Sequence, residues 1–126
     1  MRNDVTRPIQ LPEELGMYLD GLRKAYPSID QVWLLGPRVN EDDERGSEWD
    51  LLAFADESAL AGIRADRSVH RAGLNLMIVL DGDRFEGAWG ARRSGRLSSI
   101  HWRVRDLHSA TYVGDRGARE AAIRVR

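Results

Sequence analysis

Residues 32–56, VWLLGPRVNEDDERGSEWDLLAFAD, hold two near-continuous apolar runs on either side of an acidic loop. Runs such as residues 32–35 and 49–54 lack the polar alternation of a strand with one wet face, so they predict strands covered on both sides. At the entry to the second run, Glu48 and Asp50 flank Trp49. Alternate residues of a strand point to the same face, which sets these two carboxylates side by side, about 7 Å apart along the chain. Paired hard oxygen donors of this kind suit a divalent cation.

The flanking segments supply the rest of the pattern. Pro12 opens a helix in which Leu15, Tyr18, Leu19, Leu22 and Ala25 share a face, and Pro27 closes it. Asp56 or Ser58 can cap a short helix through Ala59, Leu60 and Ile63. A turn over residues 65–73 leads to a third apolar strand, residues 74–80, which ends in the turn sequence Asp81-Gly82-Asp83. Residues 85–96, rich in glycine and arginine, read as a long loop. Beyond them Ile100, Trp102 and Val104 alternate with His101, Arg103 and Arg105, the pattern of a half-buried strand with one apolar face. Tyr112 and Val113 suit another short strand, and residues 115–126 read as weakly helical or frayed.

Length and composition set the outer bounds. A chain of 126 residues is expected to form one domain, residues 1–126, with the chemistry in residues 31–80 and residues 85–126 of open role. There is no cysteine, hence no disulfide, thiolate nucleophile or sulfur-ligated zinc. No apolar segment approaches the ~20 residues that span a bilayer, and residues 1–16 lack the apolar core of a signal peptide, so a cytoplasmic protein with no membrane partner is expected. The net charge is -1, but residues 1–60 carry 13 acids against 6 bases, and residues 61–126 carry 7 acids against 13 bases, or -7 against +6. Such a split either neutralises itself on folding or marks an anionic partner for the basic half, which leaves nucleic acid open.

The order helix, strand, loop, strand with paired acids, helix, strand resembles the minimal bacterial nucleotidyltransferases of the DNA polymerase beta superfamily. Gly36-Pro37-Arg38 stands where that family has Gly-Ser-Arg, and Ser47-Glu48-Trp49-Asp50-Leu51-Leu52 resembles its paired-acid segment. The resemblance covers residues 32–80. It implies an α+β fold, a nucleotidyltransferase-like mixed β-sheet flanked by helices. It also implies magnesium held by Glu48 and Asp50, and a nucleoside triphosphate contacted by Gly36, Arg38 and Ser47. Catalysis would fall to Glu48, Asp50 and the residue in the third-acid position, which here is Asn75. The reaction implied is transfer of a nucleoside monophosphate to a hydroxyl, with the metal ions stabilising the attacking and departing oxygens.

Two positions depart from the family pattern. Pro37 replaces the serine and offers neither a hydroxyl nor a backbone N–H. Asn75 replaces the acid that would activate the acceptor, and an amide brings no negative charge and cannot act as a base. Asp81 and Asp83 lie about 20 Å further along an extended strand and cannot stand in for it. Two functions follow: a nucleotidyltransferase-superfamily domain with an eroded active site, or a non-catalytic binding or regulatory module with a helical protein partner, antitoxin-like, or a second copy.

Other groups carry weaker signals. Glu41, Asp42, Asp43 and Glu44 read as a solvated acidic loop, and Arg92, Arg93 and Arg96 as a surface loop. His70, His101 and His108 lack metal-ligand spacing. Trp33, Trp49, Trp89 and Trp102 read as core or edge anchors.

Overall fold

The computed structural model describes residues 11–36, 49–90, 93–114 and 117–126. The elements are α1 (Glu13–Ala25), β1 (Gln31–Leu35), β2 (Trp49–Phe54), α2 (Glu57–Ala65) and β3 (Leu74–Leu80). They are followed by β4 (Arg84–Gly87), β5 (Ser94–Arg96), β6 (Arg103–Asp106), β7 (Ser109–Val113) and β8 (Arg119–Arg124). All eight strands join one sheet in the order β5-β4-β3-β2-β1-β8-β7-β6. Only β2 and β3 run parallel, as the crossover through α2 requires; the other neighbours are antiparallel.

Local chemistry explains the helices. Glu13 and Glu14 sit in the first turn of α1 and Arg23 and Lys24 in the last, each favourable with the helix dipole. Asp56 caps α2 by accepting the Ala59 N–H at 2.9 Å, and Ser28 donates to the same carboxylate oxygen at 2.9 Å. These bonds hold the Asp56 carboxyl below the usual carboxylate range, the Ala59 N–H contributing most.

The sheet has two differently covered faces. On one, Leu19 and Leu22 of α1 and Leu60 and Ile63 of α2 pack onto Val32, Leu34, Leu51, Ala53, Leu76 and Ile78. On the other no α-helix lies among the described residues; the sheet curls, and Trp33, Leu35, Leu52, Met77 and Val79 meet Leu97, Ala110 and Tyr112. Trp102 fills the curl, edge-on to Trp33 at 5.2 Å between ring centroids. Because the middles of β1, β2 and β3 are buried on both sides, their sequences are near-continuous apolar runs, interrupted by Asp50 and Asn75 at one end of β2 and β3.

This architecture corrects the expected α+β, nucleotidyltransferase-like sheet flanked by helices. The molecule is mostly sheet, a curled half-barrel of eight strands, with 40% of the described residues in strands and only two α-helices. Three segments account for the difference. Residues 85–96, expected as a loop, contain most of the β4–β5 hairpin, with Phe85 opposite Gly95. Residues 115–126, expected as weakly helical or frayed, contain β8, which pairs with β1 from Trp33–Arg124 to Leu35–Ala122. The half-buried strand expected over residues 100–105 is instead the exposed strand β6, since Ser98–Ile100 forms a 3-10 turn and β6 pairs only with β7.

Candidate functional site

The entrance of β2 lies between the end of β1 and the start of β3. The register places Leu35, Asp50 and Asn75 abreast on three neighbouring strands, with Leu35 opposite Asp50 and Asp50 opposite Asn75. Residues paired across strands share a face. Asp50 and Asn75 therefore lie at one end of the curled, helix-free face, in line with Leu52 and Met77 of its core. Both are half-buried. The Asn75 side-chain amide donates to Asp50 Oδ1 at 2.9 Å.

Gly36 follows β1 at the same end of the sheet. Its φ is +72°, a conformation glycine adopts without strain. A Cβ there would stand 3.2 Å from the Tyr112 hydroxyl and 3.6 Å from Glu120 Oε1. Tyr112 donates to Glu120 Oε1 at 2.9 Å, the pair being matched across β7 and β8. Glu120 is thus a second half-buried carboxylate on this rim, separated from Asp50 by β1.

Of the residues expected to form the site, Asp50 and Asn75 come together and Gly36 lies on the adjoining strand. Glu48, Arg38 and Ser47 lie outside the described residues, as do Pro37, the acidic loop and Arg92. Tyr112 and Glu120 were not anticipated. The alternation of Ala110 and Tyr112 could have placed Tyr112 on an inward face, but pairing with β8 could not be inferred from residues that read as helical.

The donor set bears on the metal that the resemblance implies. Among the described residues no group of three His, Cys, Asp or Glu side chains converges as a metal site. Asp50 supplies one carboxylate with its second oxygen outside the Asn75 bond. That fits a magnesium ion held mainly by phosphates and water with one protein carboxylate. Among the described residues the group opposite Asp50 is the neutral amide of Asn75, which adds no second carboxylate to the set.

The remaining candidates are structural. Asp83 accepts the Ser98 N–H at 2.9 Å and pairs with Arg96 at 3.2 Å; these contacts, the Ser98 N–H first, hold its carboxyl low. His70 stacks on Trp89 at 4.7 Å and contacts the Ile63 carbonyl at 2.8 Å. His101 closes a 3-10 turn with φ +57°, and His108 is exposed. Trp33 is a core residue at 2% exposure, so it offers no open stacking surface. No helix among the described residues is long and apolar enough to cross a membrane.

Compared with protein-family models, curated proteins and solved structures, the chain matches none.

Proposed function

We propose that this protein is a binding module for a magnesium–nucleoside triphosphate, descended from a nucleotidyltransferase and without transfer chemistry of its own. The observation that carries this reading is the Asp50–Asn75 pair: one carboxylate, oriented by an amide in the register position where a base would be needed. The motif around Gly36 and residues 47–52 supports the choice of ligand. Asp50 contributes a ligand to the ion, while Asn75 fixes the carboxylate's rotamer and takes no proton from an acceptor. The proposal does not call on a helix-flanked nucleotidyltransferase architecture.

Calorimetric titration with ATP, with and without magnesium, tests it. The native protein should bind only with magnesium, and Asp50→Asn should weaken binding by about tenfold or more, because a charged ligand becomes neutral. Asn75→Asp restores a carboxylate and should tighten magnesium binding. Equal affinity in Asp50→Asn and the native chain overturns the reading.

A second reading, a module that docks a protein partner, is favoured by β6. This edge strand is exposed along its whole length, its own Val104 56% and the flanking Leu107 75% exposed. A partner that adds a strand there would protect the β6 amides from hydrogen exchange.

A further inference from the structure

At the end of the sheet opposite the Asp50 rim, the parallel strands β2 and β3 finish together, and the chain leaves β2 for α2. Crevices outside the carboxyl ends of parallel strands commonly receive ligands, because the chain diverges there and leaves backbone uncovered. A cavity of about 550 Å³ lies at this point, lined by Arg23 of α1, Ser28 and Asp30 of the α1–β1 turn, Phe54 and Ala55 at the end of β2, and Asp81 beyond β3. Its volume is in the range of small-molecule sites.

The charges on its walls are unevenly matched. The Arg23 Nε is buried without an acceptor, and no hydrogen bond or ion pair engages this guanidinium among the described residues. Arg23 is half-exposed, and its nearest charge of opposite sign is Asp20 on its own helix, so guanidinium donors on the cavity side are open to an anionic group. Asp30 donates its backbone N–H to the Phe54 carbonyl at 2.9 Å, which fixes its position at the rim, while its carboxylate has no partner among the described residues. Asp81 is 3.8 Å from Arg84, but Arg84 also engages Glu57 and Glu86, each at 3.2 Å. Glu86 also pairs with Arg64 at 3.3 Å, so two arginines serve three carboxylates, and Asp81, at the longest of the Arg84 distances, keeps the excess negative charge on its side of the cavity. The turn that presents Asp81 has left-handed φ values of +58° and +75° at Asp81 and Gly82.

A ligand that satisfies this cavity carries one anionic group for Arg23 and cationic groups for Asp30 and Asp81. Simple anions meet two carboxylates, and simple cations leave Arg23 unpaired. We propose that the crevice at the carboxyl ends of β2 and β3 binds a basic amino acid, its carboxylate on Arg23 and its ammonium groups on Asp30 and Asp81. This site is separate from the Asp50 rim and does not depend on nucleotide binding.

The test is a titration of the isotopically labelled full chain with L-lysine, followed by the amide signals of Ala55 and Gly82. Saturable shifts at these two amides are expected below about 10 mM lysine. Arg23→Gln and Asp30→Asn should each weaken binding by about tenfold, as loss of a charge-assisted bond does. 1,5-Diaminopentane, which keeps both ammonium groups and lacks the carboxylate, should bind about tenfold more weakly than lysine. Asp30→Asn alters an exposed, unpaired side chain, so the comparison stands on a folded protein even if Arg23→Gln unfolds. No saturable shift at Ala55 and Gly82 overturns the proposal. So does unchanged affinity in Asp30→Asn, or diaminopentane binding as tightly as lysine.

Discussion

Gly36 is the residue where backbone and site meet. An L-residue there meets a left-handed φ, which costs about 1 kcal/mol, and its Cβ presses on the Tyr112 hydroxyl at 3.2 Å. Gly36→Ala is therefore expected to lower stability by about 1–2 kcal/mol, read as a shifted urea midpoint with an unchanged slope. Tyr18 provides a pH signature. Burial pushes its phenol from 10.0 up to about 12, with nearby Arg71 pulling weakly the other way, and the neutral hydroxyl donates to the Val69 carbonyl. Because the folded value lies above the unfolded one, the contribution is complete below pH 10 and is lost as pH rises from 10 toward 12. Tyr18→Phe should flatten that part of the stability profile, measured by denaturation midpoints across pH 8–12. At this scale the sequence was partly legible. Asn75 was set with Asp50 by the family pattern that residues 47–52 and 74–76 resemble, and the register puts the two side by side, whereas Glu120 belongs to the same rim only through a strand pairing with no local signal.

Among the elements, β6 shows how an edge is kept from pairing indiscriminately. Edge strands expose unpaired backbone groups, and charged side chains discourage copies from docking there. Two β6 strands related by a twofold axis would bring Arg103 against Arg105, or Arg105 against itself, and like charges facing each other across strands repel. Replacing both by valine should raise the concentration-dependent mass seen by light scattering above that of the native chain. A clamp on α1 acts in the opposite sense: Arg126 reaches Asp20 at 2.7 Å and the Gly16 carbonyl at 3.1 Å, tying the helix to the backbone that follows β8. The legibility of each element follows from its burial. β1, β2 and β3 are covered on both sides and announced themselves as apolar runs. β8 has charged and alanine residues that suit a helix in isolation, and its pairing with β1 and β7 overrides that preference. The β4–β5 hairpin hides in glycine and arginine because Phe85 packs over Gly95, where a Cβ would lie 2.8 Å from the ring.

Over the whole molecule, stability is concentrated in the middle of the sheet. Leu34, Leu51 and Ile78 are fully buried, and Leu51→Ala should cost about 2–5 kcal/mol in chemical denaturation. Amide exchange should be slowest in β1, β2 and β3 and fastest in the edge strands β5 and β6, the gradient expected when outer strands open locally. The placement of β8 beside β1 also bears on how the protein is made. During synthesis β1 emerges early, yet its second neighbour follows only after about ninety further residues, a delay on the order of five to twenty seconds at ordinary elongation rates. Throughout that interval a strand destined for the centre has an open flank next to nascent chains on the same message.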